Sequence, residues 1–126
     1  INKHNLEIQM FEEYIIDSKL NIGGRIDALF KMNGKFILVD WKSNEKITDN
    51  NFKMNKPYNT LSKDKLTQYT FQLYIYKYIL EKTLDIEIAG CRLVNINNNT
   101  FEVIKPKFKY DKDFIENYIT LAKTKY

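Results

Sequence analysis

Two aspartates, Asp27 and Asp40, fall where a hairpin would set them face to face, with a lysine, Lys42, just beyond the second. Gly23 to Phe30 reads as one strand and Lys35 to Lys42 as the next. Asn33-Gly34 between them is the strongest short-range hairpin signal. With those two residues as the turn, Asp27 lies across from Asp40 and Arg25 across from Lys42. Opposed side chains on one face stand roughly 5 Å apart at Cβ. Two carboxylates that close repel, so one must keep its proton or a cation must sit between them. Mg²⁺ commonly takes one or two protein carboxylates and keeps several waters. The pair therefore reads as a site for Mg²⁺ or Mn²⁺, with the Trp41 backbone carbonyl as a third oxygen. A lysine beside such a cation suits phosphodiester hydrolysis, where water must be activated and phosphate charge offset. For any one of these residues a solvated strand face is the plain alternative. For the set it is weaker, because the acids face each other and not the available bases.

The elements that must position these groups are legible in the pattern. Glu7 to Asp17 alternates roughly and reads as a first strand. Strict alternation then puts Ile26, Ala28, Phe30, Ile37, Val39 and Trp41 on a core face. It puts Arg25, Asp27, Leu29, Leu38, Asp40 and Lys42 on the other. Residues 43–65 are rich in Asn and Lys, contain Pro57, and read as an exposed loop. From Ser62, a candidate N-cap, Leu66, Tyr69, Leu73, Tyr76 and Leu80 repeat at helical spacing. Residues 86–94 and 100–104 suggest a second hairpin around Asn97-Asn98-Asn99, and Asp111 to Lys123 a closing helix. The order β-β-β-α-β-β-α implies an α/β (α+β) fold, a central mixed sheet flanked by helices.

The bulk numbers bound the answer loosely. At 126 residues the chain is one domain, 1–126, and its first residue, Ile1, suggests a piece of a longer polypeptide. Net charge is +4, compatible with a polyanionic partner. The single cysteine, Cys91, excludes a disulfide framework and a four-cysteine metal site, and reads as a small core residue. An intracellular location, in cytoplasm, nucleus or virion, is expected. No run approaches the roughly 18 apolar residues of a membrane span, so no membrane partner is expected.

Gly24-Arg25-Ile26-Asp27, then Asp40-Trp41-Lys42, then Gln72-Leu73-Tyr74-Ile75-Tyr76 resembles the PD-(D/E)XK nuclease superfamily. Within it the chain looks most like the RecB-type branch, whose Q-x-x-x-Y motif lies on the helix after the D-x-K strand. The resemblance implies a restriction-endonuclease-like core and a metal-dependent nuclease acting on DNA. It makes Asp27 and Asp40 metal ligands, Lys42 the catalytic lysine, and Gln72 with Tyr76 helix residues organising the site. Residues four apart do share a helix face, and Gln68 extends that stripe by a turn. For Tyr76 a core aromatic is the plain alternative. Family members usually begin with a helix, whereas this sequence enters almost directly into a strand, and many carry a metal-binding histidine upstream of the first acid. His4 is a candidate for that ligand, with Glu7, Glu12 and Glu13 as other acids.

Lys46, Lys53, Lys56, Lys63 and Lys65, interleaved with Phe52 and Tyr58, would suit a single-stranded nucleic acid, with Arg25 as a phosphate contact and a solvated loop as the plain alternative. Lys105, Lys107, Lys109 and Lys112 form a second basic group. DNA is thus the expected partner, with a helicase or polymerase in the same polypeptide or complex. The roles expected are repair, replication or recombination, and the Asn-, Lys- and Ile-rich composition hints at a virus or phage. The alternatives are an RNA endonuclease of the same superfamily, of the cap-snatching type, and a non-catalytic nucleic-acid-binding or docking module.

Overall fold

The structure, a computed structural model, describes residues 6–19, 22–43, 46–47 and 64–124. The elements run β1 (Leu6–Asp17), β2 (Ile22–Met32), β3 (Lys35–Ser43), α1 (Lys65–Leu84), β4 (Ile88–Asn97), β5 (Thr100–Ile104) and α2 (Lys112–Thr124). The five strands form one sheet in the order β1-β2-β3-β4-β5. Only β3 and β4 are parallel, joined across α1, and the other neighbours are antiparallel. This is the mixed α+β sheet expected from the sequence, in keeping with a restriction-endonuclease-like core. No described helix is long and apolar enough to cross a membrane.

The β2–β3 turn forms as its sequence dictates. Asn33 has φ 52 and Gly34 φ 82, the two left-handed residues that match the twist of a tight hairpin. Pairing then runs from Met32–Lys35 through Leu29–Leu38 to Ala28–Val39, in the register the turn implies.

The face assignment differs from strict alternation. Leu29 and Leu38 are each 1% exposed and belong to the core cluster with Leu73, Tyr74 and Ile79 of α1. Phe30, Ile37, Val39 and Trp41 are only half-buried. Yet Ile26, also 1% exposed, joins the same core as Leu29. Residues three apart cannot share a face of a regular strand, so the alternation breaks between them. The break lies beside Glu12 of β1, which takes φ 49, and no Glu12–Asp27 pair appears in the β1–β2 register. α1 therefore packs on the face that alternation had left to the charged residues.

α1 is buried around much of its circumference, through Leu66, Thr67, Thr70, Phe71, Leu73, Tyr74, Tyr78, Ile79 and Leu80. On one side it meets the sheet. On the other, Phe71 stacks on Tyr118 and meets Phe108 edge-on. Its start is fixed by Asp64 and not by Ser62, which lies outside the described residues. The Asp64 carboxylate accepts from the Thr67 N–H at 2.7 Å and pairs with Lys107 Nζ at 3.1 Å. The Lys107 N–H in turn donates to Thr70 Oγ1 at 2.8 Å, so the segment before α2 is strapped across the helix.

Asp64 combines an N-cap with a buried ion pair, so Asp64→Ala is expected to cost about 2 kcal/mol in denaturant unfolding. Asp64→Asn, which keeps a capping oxygen but loses the charge, should cost roughly half that. A loss below about 0.5 kcal/mol for alanine would show that this cap does not hold the helix.

Candidate active site

The β2–β3 ladder ends at Ala28–Val39, one step short of Asp27 and Asp40. Beyond it the strands exchange a different bond: the Trp41 N–H donates to Asp27 Oδ2 at 2.9 Å. The two acids still act on each other, for Asp27 is one of the groups that raise Asp40. Burial above all, and then Asp27, push Asp40 up to about 6 from 3.8, against the opposing pull of Lys42. Two carboxyls that act on each other in this way favour a shared proton or a cation. Asp40 Oδ2 is buried, 3.0 Å from Lys42 Nζ, with no aligned hydrogen bond.

Lys42 lies in the same row of β3 as Leu38 and Asp40, under α1. Its Nζ sits 4.3 Å from the centroid of the Tyr69 ring. Burial alone would push the ammonium down, but Asp40, Tyr69 and Asp27 together hold it above its ordinary value. It is therefore charged at neutral pH. Across the parallel pairing, Lys42 is the register partner of Asn95 on β4, a buried amide at 4% exposure.

The helix residues of the Q-x-x-x-Y motif meet each other and the start of β2. Gln72, half-buried, donates from Nε2 to Tyr76 Oη at 3.4 Å. Tyr76 packs directly on Gly24: a Cβ there would fall 2.5 Å from its Oη and 2.7 Å from its Cε1. Gly24 is thus required for close approach, which ties the G-x-x-D segment to the Q-x-x-x-Y helix by contact.

Several sequence candidates lie elsewhere. Arg25 does not pair across from Lys42; its Nη2 meets Glu12 Oε1 of β1 at 2.9 Å, both half-exposed. Such exposed pairs contribute little to stability. Lys46 and Lys65 are exposed, the latter in the first turn of α1. His4, Lys53, Lys56 and Lys63, with most of the expected loop, fall outside the described residues. Lys107 is held by Asp64. Cys91 is a buried core residue, its thiol pushed up to about 12 by burial, which makes it unreactive. Among the described residues no three His, Cys, Asp or Glu side chains gather, so the corner offers a cation two carboxylates. The pattern alone left Tyr69 among the packing positions and passed over Asn95. Tyr69 stands three residues before Gln72, on the same helix face, which was the available signal.

A cavity of about 280 Å³ lined by Tyr78, Glu81, Lys82, Tyr110, Lys112 and Glu116 lies between the C-terminal half of α1 and α2. It is separate from the acid pair.

No protein-family model matches the chain, and no curated protein matches it. Among solved structures the chain is similar to a "Putative exonuclease" from Eubacterium rectale, at 15% identity and a TM-score of 0.60. That match covers 92% of this chain and 43% of the other. It also matches SSO0001, at 20% identity and a TM-score of 0.49, over 97% of this chain and 50% of that one. The chain spans half or less of the length of these two structures. The likeness to the Eubacterium rectale protein is one of fold.

Two outcomes follow from the geometry. Asp40 titrates near 6 in the folded metal-free chain against 3.8 ordinarily, so protonation favours folding. That contribution is full below about pH 3.8 and is lost as pH rises through 6. Asp40→Asn should therefore stabilise the chain in EDTA at pH 7.5 by about 1 kcal/mol, a rise of ~3 °C in melting temperature. The advantage should vanish by pH 4, and an unchanged difference across that range would show that Asp40 is not its source. Separately, Gly24→Ala should cost about 1–3 kcal/mol by overpacking against Tyr76, but little in a Tyr76→Ala background. Additive costs in that double-mutant cycle would remove the contact as the cause.

Proposed function

We propose that this chain is a metal-dependent nuclease that hydrolyses phosphodiester bonds in DNA by a PD-(D/E)XK mechanism. The observation that carries the reading is the buried Asp40 with the Lys42 ammonium 3.0 Å away, beside an Asp27 that accepts the Trp41 N–H at 2.9 Å. The fold likeness to a protein named as an exonuclease supports the coarser reading of a nuclease.

The donor set fits a hard divalent cation such as Mg²⁺ or Mn²⁺. Two carboxylates converge, one with a buried oxygen lacking an aligned hydrogen bond, and the Trp41 carbonyl lies between Asp40 and Lys42 in the chain. Bound there, such an ion would offset phosphate charge and lower the pKa of an attacking water. Asp27 and Asp40 would hold it. Asp27 also fixes the strand end, because its other role is to accept the Trp41 N–H. The Lys42 ammonium faces the charge that builds on the phosphate as the water oxygen bonds to phosphorus and the leaving oxygen departs. Gln72 and Tyr76 shape the wall beside Gly24, where the strand of DNA would pass. Arg25, Lys46 and Lys65 are exposed and would meet backbone phosphates.

The test is cleavage of end-labelled single- and double-stranded DNA, with matched RNA alongside, in Mn²⁺, Mg²⁺ and EDTA. Native chain should cut DNA only with metal, and Asp40→Asn and Lys42→Ala should each lower the rate by roughly 10²–10³. Cleavage that survives both substitutions would sink the proposal. Preferential cutting of RNA would move the reading to an RNA endonuclease of the same superfamily. Binding without metal and without cleavage would leave a non-catalytic nucleic-acid module.

A further inference from the structure

A lysine can stabilise charge at one place only if its head is kept there, and Lys42 reaches its position on four freely rotating carbons. Two contacts fix the head. Asp40 Oδ2 is 3.0 Å away, and the Tyr69 ring lies 4.3 Å from Nζ to centroid, close enough for the face of the ring to attract the ammonium. The two differ in what happens when the site is used. Asp40 is also the acid that would serve a cation, so its negative charge is then shared and its hold on Lys42 weakens. The ring carries no net charge to be drawn off by a cation or by phosphate. Its attraction persists, and it acts with the Lys42 side chain only 20% exposed, where water competes weakly.

The ring is itself well anchored. Tyr69 lies one turn before Gln72 on α1, and it packs against the core between the buried residues Leu66 and Leu73. Its backbone is in the second turn of a helix whose start is pinned by Asp64 and Lys107.

We propose that Tyr69 is a positioning residue: the face of its ring holds the Lys42 ammonium beside the acid pair while Asp40 is engaged by a cation. This rests on the nuclease reading. The ring, and not the hydroxyl, carries the role, so phenylalanine preserves it and an aliphatic side chain does not.

The experiment compares native chain with Tyr69→Phe, Tyr69→Leu and Tyr69→Met, each first checked for an unchanged helical spectrum and melting transition. In metal-free protein, the Lys42 ε-methylene proton resonances, assigned by their loss in Lys42→Ala, should be shifted upfield by the ring. They should stay so in Tyr69→Phe and return to the ordinary position in Tyr69→Leu and Tyr69→Met. In cleavage with Mn²⁺, Tyr69→Phe should keep kcat within about twofold, while the aliphatic variants lose roughly tenfold in kcat at little-changed KM. Equal losses in Tyr69→Phe and Tyr69→Leu would overturn the proposal in favour of the hydroxyl. Unmoved Lys42 resonances in Tyr69→Leu would overturn it outright. Absence of cleavage by native chain would instead strike the nuclease reading, and the resonances would still decide whether the ring holds the ammonium.

Discussion

The corner at Asp27 and Asp40 depends on a ladder that stops. A continued β2–β3 ladder would satisfy the Trp41 N–H with backbone and leave the Asp27 carboxyl without that bond. Instead that N–H is taken by the Asp27 side chain at 2.9 Å, which draws the carboxyl inward beside Asp40. One bond thus terminates the strand pair without leaving a buried donor unpaired and brings two like-charged groups together. The result is costly in the metal-free chain, as the displacement of Asp40 to about 6 records. A stable fold retains such a feature readily only where the surroundings over-determine it.

Those surroundings are mostly α1. The helix crosses from the end of β3 to the start of β4, and it meets the corner and the start of β2 through one face. Tyr69 meets Lys42, Gln72 meets Tyr76, and Tyr76 lies on Gly24. At the other end the helix is tied to the sheet by polar clips. Lys77 Nζ donates to the Ile88 carbonyl at 2.6 Å, and the Ile88 N–H donates to Glu81 at 2.8 Å. Lys82 pairs with Asp17 at the end of β1 at 3.0 Å. The helix is therefore registered against β1 and β4 as well as β2, and it cannot slide without disturbing both ends.

How far the sequence foretold this depends on the range of the signal. The Asn33-Gly34 turn acts over four residues, so it set the hairpin register correctly from composition alone. The element order and the meeting of Asp27 with Asp40 came with it. What failed was the inference that alternation persists along β2. Glu12 at φ 49 sits on a different strand, and nothing in its own type announces a left-handed backbone. That break moved Ile26 into the core beside Leu29. The helix start was misplaced by two residues because Ser and Asp cap equally well, and only the ion pair from Lys107, far along the chain, selects Asp64. Tyr69 looked like packing because it is packing. That its ring also faces an ammonium depends on where β3 lies, which no local spacing encodes.

The charge state of Lys42 narrows what the corner can do under the nuclease reading. A lysine whose ammonium is held above its ordinary value has no free lone pair at neutral pH, so it is poorly suited to remove a proton from water. It is well suited to sit beside phosphate oxygens as their charge grows. Asp40, raised chiefly by burial, would be favoured in its ionised form by a bound cation. The two shifts differ in origin, since burial and Asp27 raise Asp40 against the pull of Lys42, whereas Asp40 is what raises Lys42, and they assign different work to the two ends of the contact at 3.0 Å. The acid responds to what binds, whereas the lysine must stay charged and stay in place. A side chain with that task needs a partner that is indifferent to the cation, and an aromatic face meets that need where a third carboxylate would not.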